Sequence, residues 1–168
     1  MRTRIAVPIA ALSAAAAVLG AGTLASGQPA SDAGAAAQAN EKRVLFAVLT
    51  GKKEVDTAGN KGTGDPDGRG TFTATIDGTQ LCFGITVTNI ATPAAAHIHK
   101  GRPNEAGDVV VPLTQPGSGD PGASSGCVAV EQGLAAAILK NPHKYYANVH
   151  NAPFGGGAVR GQLFGRSR

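Results

Sequence analysis

The chain has 168 residues, with 15 Lys+Arg, 11 Asp+Glu and an aromatic share of 4%. Its formal charge of +4 is spread over scattered lysines and arginines, without a basic block or interleaved aromatics, which argues against a nucleic-acid partner. Apart from an apolar start and a stretch of small residues, the remaining length suits one domain with a single core.

Met1 to Ala25 reads as a secretory signal, with Arg2 and Arg4 preceding an Ala/Val/Leu/Ile run. Two cleavage points fit, one near Ala25-Ser26-Gly27 and one at Ala37-Gln38-Ala39. An uncleaved anchor is the competing reading, but the run is mostly Ala and Gly and contains Pro8, short of a strongly apolar span. Ser26 to Ala39 has no large apolar residue and is expected to be a disordered linker. The folded domain is therefore expected over Asn40 to Arg168, with no transmembrane span once the signal is removed.

Within that domain strand patterns dominate. Val44 to Leu49 is a short apolar run, as for a strand buried on both faces. Gly59 to Gly70 reads as a loop, after which Phe72, Ala74 and Ile76 alternate inward. Asp77-Gly78 signals a hairpin, and the return strand puts Leu81, Phe83, Ile85 and Val87 on one face. A strand at His97-Ile98-His99 ends in a Gly/Pro/Asn loop over Gly101 to Gly107. Pro112 then marks Val109 to Leu113 as an edge strand or strand end. Gln115 to Gly126 reads as a flexible loop, and Cys127 to Val130 as a short strand. One helix is expected from Gln132 to Lys140, stopped by Asn141-Pro142. Strands at Tyr145 to His150 and Ala158 to Phe164 follow, joined at Gly155-Gly156-Gly157. Many short strands with Gly/Pro turns make the fold class all-β, a sandwich or barrel with one short helix. Two lone cysteines in an exported domain predict the disulfide Cys82–Cys127, with a free redox pair as the alternative.

The motifs that carry chemistry lie on these strands. Residues two apart on a strand share a face, so His97 and His99 project together and Ile98 points the other way. If Val149 faces the core, Asn148 and His150 share the opposite side, and Arg160 joins them provided Val159 and Leu163 are core. The expected constellation is His97, His99, Asn148, His150 and Arg160, with Arg160 beside His150 and Glu54 as the acidic partner.

The chain resembles the CHRD domain, the repeat first named in the developmental protein chordin and also found alone in exported bacterial proteins. The resemblance rests on Leu49-Thr50-Gly51 with Glu54-Val55, on Ala96-His97-Ile98-His99 with Gly107, and on Val109 to Leu113. It extends through Asn141-Pro142, Tyr145-Tyr146-x-Asn148-Val149-His150 and Arg160-Gly161-Gln162-Leu163. It implies an immunoglobulin-like or superoxide-dismutase-like barrel without established enzymatic activity. Chordin's growth-factor antagonism does not carry over, because its cysteine-rich modules are missing. Asp56 stands where the family commonly has proline, which leaves the early loop's conformation open.

Two chemistries compete for the histidines. Neutral imidazoles suit copper and zinc, and His97, His99 and His150 with an open position make a recurrent site type. In the other reading they lock strands by hydrogen bonds to backbone and side chains, including Glu54, Asn148 and Arg160, and the Arg160 charge disfavours a cation. Dismutase activity lacks support, because His143 is the one further histidine and no metal-binding aspartate loop is present. A hydrolase lacks a nucleophile elbow, and Glu54, Asp56, Asp65 and Asp67 lie in or beside one loop as solvated acids would. The expectation is a secreted, non-enzymatic binding or structural module with an unknown extracellular or cell-surface ligand and no required cofactor. The alternative is a histidine-cluster copper or zinc protein with a redox role.

Overall fold

The computed structural model describes residues 44–166; the signal expected over 1–25, the linker over 26–39 and the boundary at Asn40 lie outside the described residues. The strands are β1 Val44–Thr50, β2 Arg69–Asp77, β3 Gln80–Thr88, β4 Pro93–Lys100, β5 Val109–Leu113, β6 Gly122–Ala129, β7 Tyr145–Asn151, β8 Val159–Gln162 and β9 Phe164–Arg166. A helix, α1 Gln132–Lys140, lies between β6 and β7. Every strand pairing is antiparallel, in the order β5-β4-β7-β8-β1-β2-β3-β6, with β9 also on β1. The end strands β5 and β6 are not paired with each other, but Ser124 Oγ donates to Thr114 O at 2.7 Å near their free edges. The result is a nearly closed barrel.

Period-two patterning builds the interior. Leu45, Ala47 and Leu49 of β1 meet Phe72, Ala74 and Ile76 of β2 and Leu81, Phe83, Ile85 and Val87 of β3, all buried. Each large side chain removed from water contributes about 1.5–3 kcal/mol. Asp77 pairs with Gln80 across Gly78-Thr79, and Gly78 takes the left-handed φ of 57° that this turn requires. Ala135 and Ile138 plant α1 on the same core, and Asn141-Pro142 ends it, as expected.

Two expectations are corrected. β1 is buried on one face, not both: Phe46 and Val48 point outward, 36% and 54% exposed. The run looks continuous because its outward positions are apolar too, and the Phe46 ring packs on Phe164 at 5.8 Å. The segment expected to be a loop up to Gly126 becomes strand at Gly122, with Ser124 opposite Ile85 and Ser125 opposite Gly84. Its Gly and Ser side chains carry no strand signal; main-chain pairing with β3 holds it. Pro112 falls on the edge strand β5, where a missing N–H is tolerated.

Cys82 and Cys127 stand directly opposite in the β3–β6 register, with Cα atoms 4.0 Å apart and Sγ atoms 2.11 Å apart, so the expected pairing is met. Closing that loop is worth about 4 kcal/mol in the chain-entropy model. In the early loop, Asp56 Oδ1 accepts the N–H groups of Ala58 at 2.9 Å and Asn60 at 2.8 Å. A side chain thus organises the turn at the position where the resemblance implies proline.

Candidate functional site

Inner and outer faces separate cleanly on the β4–β7–β8 part of the sheet. Ile98, Ala147, Val149 and Val159 face the core. His97 is registered with Asn148, His99 with Tyr146, and Asn148 with Arg160, so these side chains share the outer face. A register shift in the β4–β5 pairing between Ile98 and His99 sits beside the histidines. Such irregularities twist a strand and re-aim its side chains.

The three histidines converge. Ring centroids lie 5.5 Å apart for His97–His99, 5.1 Å for His97–His150 and 5.6 Å for His99–His150. One ring nitrogen from each lies within 4.8 Å of the others. His99 Nδ1 meets Gly107 O at 2.9 Å, and His150 Nδ1 meets Gly155 O at 3.1 Å. A carbonyl can only accept, so both Nδ1 atoms carry the proton and both Nε2 atoms keep their lone pair. His99 Nε2, His150 Nε2 and His97 Nδ1 are buried without a hydrogen-bond partner in the protein. Burial holds all three imidazoles below the usual histidine range, His99 to about 4 despite the opposing bond to Gly107. They are neutral at pH near 7, the state in which imidazole ligates a metal.

The carbonyl partners are set by glycine-containing turns. Gly107 closes so tightly on Lys100 that an added Cβ would strike the Lys100 carbonyl. Its N–H donates to Tyr146 Oη at 3.0 Å, so one residue anchors both His99 and Tyr146. At the end of β7, Asn151 Oδ1 accepts the Phe154 N–H at 3.0 Å and folds the turn that carries Gly155.

A second polar group lies beyond Tyr146. The Tyr146 ring stacks on His99 at 4.8 Å and 7°, and the Arg160 guanidinium carbon lies 3.4 Å from its centroid. β7 runs between β4 and β8, so the ring separates His99 from the cation. Arg160 is registered with Asn148, not His150, and its Nη2 donates to Arg102 O at 2.9 Å. Glu54, expected both as the acidic partner and as one of several solvated acids, is 2% exposed. Burial pushes its carboxyl up to about 7, against the Val55 N–H, the Arg160 charge and an Asn148 hydrogen bond. Gly157, at φ 143°, presses so close that a Cβ would strike the Glu54 carboxylate and the Asn148 amide.

The structure therefore sorts the expected site residues into two neighbouring groups: His97, His99 and His150, and Glu54, Asn148 and Arg160. The histidines' hydrogen bonds go to backbone carbonyls, not to those three side chains. Tyr146 links the groups and was missed, although its alternation with Asn148 and His150 carries the same signal. Gln162 was missed as well; its Nε2 donates to Gly101 O at 2.8 Å and His143 O at 2.7 Å.

No curated protein and no solved structure matches the chain. The family model for the CHRD domain matches residues 45–163, which spans β1 to the end of β8 and takes in every residue of both polar groups. The chain belongs to the CHRD family.

Proposed function

We propose that this CHRD domain is a non-enzymatic binding module, working outside the cytoplasm, whose ligand is a single copper or zinc ion held by His97, His99 and His150. The observation that carries this reading is a compact triad in which one ring nitrogen from each histidine lies within 4.8 Å of the others. Each ring keeps one nitrogen without a partner, and a carbonyl fixes the other nitrogen of two of them. Metal-bound histidines are oriented by this kind of outer hydrogen bond. Nitrogens sharing one ion at about 2.0–2.1 Å stand roughly 3.4 Å apart in a tetrahedral arrangement. From the 4.8 Å outer limit, ligation asks for at most about 1.4 Å of closure, within reach of small side-chain rotations. A purely structural role accounts for the two carbonyl bonds but leaves a buried, partnerless nitrogen on each ring unexplained.

The Tyr146 ring lies between His99 and Arg160, and Glu54 opposes the Arg160 charge, which weakens the objection that a neighbouring cation excludes a metal. Export is supported by the composition of Met1 to Ala25 and by the disulfide. No helix among the described residues is long and apolar enough to cross a membrane. The immunoglobulin-like or superoxide-dismutase-like reading of the barrel is supported by its antiparallel order and its His-x-His strand.

Protein purified without an affinity tag should carry close to one equivalent of copper or zinc, or take it up on titration. At free metal about a hundredfold above Kd, wild type should gain about 2.7 kcal/mol of stability, and His99→Ala should gain none. A wild type that takes up no metal and melts unchanged overturns the proposal.

A further inference from the structure

On the Arg160 side of Tyr146 the protein has a depression of about 330 Å³, lined by Lys52, Lys53, Lys61, Arg160, Pro103 and Phe164 among others. Arg160 is 2% exposed and fixed by Arg102 O and the Tyr146 ring, while its Nη1 is buried without a partner. Lys53 Nζ is tied to Val48 O at 3.0 Å. Lys52 and Lys61 stand exposed at the rim. No carboxylate is found among the described residues lining the depression. Glu54 and Glu105 act on Arg160 from outside it, and the Glu105 carboxylate is occupied by the Arg102 N–H at 3.0 Å. Four cations against two carboxylates leave a concave, positive surface, the geometry that focuses an electrostatic field on an anion.

One wall is not polar. Phe164 keeps half its surface in water, and Pro103 lies with it on the lining. The turn that carries Pro103 is tightly formed: Asn104 sits at φ 68°, and Glu105 N–H donates to Arg102 O at 3.1 Å. A charged cleft with Phe164 and Pro103 in its lining suits an anion attached to a small apolar body.

We infer that this depression binds a small organic phosphomonoester, with the dianion against Lys52 and Lys61 over the fixed charge of Arg160 and the organic body against Phe164 and Pro103. Convergent cations favour a dianion over a monoanion, and the apolar wall favours an organic phosphate over the free ion. The site is separate from the histidine triad and needs no metal.

The test is calorimetry on the full chain in EDTA, with phenyl phosphate, inorganic phosphate and benzoate as probes. Phenyl phosphate should bind at least about tenfold more tightly than either of the others. The Lys52→Ala/Lys61→Ala variant should lose about tenfold for phenyl phosphate with an unchanged melting temperature, since both side chains are exposed. Phe164→Ala should weaken phenyl phosphate while leaving inorganic phosphate as it was. Equal binding of all three anions, no binding of phenyl phosphate, or an unchanged affinity in the lysine variant overturns the inference.

Discussion

The two faces of β4, β7 and β8 are packed by different rules. Inside, Ile98, Ala147, Val149 and Val159 are interchangeable in kind: each contributes by area and shape, and a swap of similar volume is tolerated. Outside, Tyr146, Asn148, Arg160 and Glu54 are just as inaccessible, at 2% exposed each, but every one depends on a particular neighbour. A lost methyl on the inner face costs a fraction of the core's total. Losing one member of the outer group leaves a charge or a donor stranded, and a stranded buried charge costs more than most cavities. Burial alone therefore does not make a core residue replaceable.

The contrast breaks most visibly at Arg160. Arg160→Met removes a buried cation together with its bond to Arg102 O and its stacking on Tyr146, and should destabilise by about 3–5 kcal/mol at about pH 8, where Glu54 is ionised. Urea denaturation at about pH 5, with Glu54 protonated in the fold, should show a cost smaller by up to about 1.4 kcal/mol, the free energy of one pKa unit between about 7 and pH 8. A loss that is the same at both pH values would mean that Arg160 acts through packing alone.

Glu54 sharpens the same contrast. Its carboxyl titrates near 7 when folded and near 4.5 when unfolded. Between these values the unfolded chain releases the proton while the folded one keeps it, so this residue lowers stability as pH rises from 4.5 through 7. Glu54→Gln removes that slope. Its stability relative to wild type should climb across the window by up to about 3 kcal/mol, read from melts at stepped pH. A flat difference would mean that Glu54 is solvated rather than buried.

The inner face should respond least. Ile98→Val deletes one buried methylene and should cost about 0.5–1.5 kcal/mol with no pH dependence. A pH-dependent loss there would show that the two faces are coupled through the strand itself.

The sequence carries the inner face more plainly than the outer one. Phe72 to Ile76, Leu81 to Val87 and α1 follow their periods because the core selects by hydrophobicity, which each residue displays on its own. β6 escapes that reading, since Gly122 to Gly126 owe their strand to main-chain pairing with β3 and show no hydrophobic period. So does the outward turn of Phe46 and Val48, because an apolar residue does not announce that its side of the sheet is uncovered. On the outer face, alternation alone puts His97, His99, Asn148, His150 and Arg160 on one side. What it cannot supply is their partners. Gly107 O and Gly155 O are backbone atoms brought in by turns, and a peptide carbonyl has no letter in the sequence. The burial of Glu54 was hidden for a related reason: its loop is polar, and the cover comes from Gly157, a hundred residues later.

The pairing of β1 with β9 joins Val44 to Arg166 and Phe46 to Phe164, so the first and last described strands are neighbours. β8 pairs with β1 at Thr50, and β9 covers the same edge of β1 over Val44 to Phe46. Without β9 that edge would lie open, an invitation to strand addition by another molecule. The same adjacency makes the fold a natural subject for circular permutation. A short linker from Arg166 to Val44, with new ends opened at Gly78-Thr79, would leave the strand pairings intact.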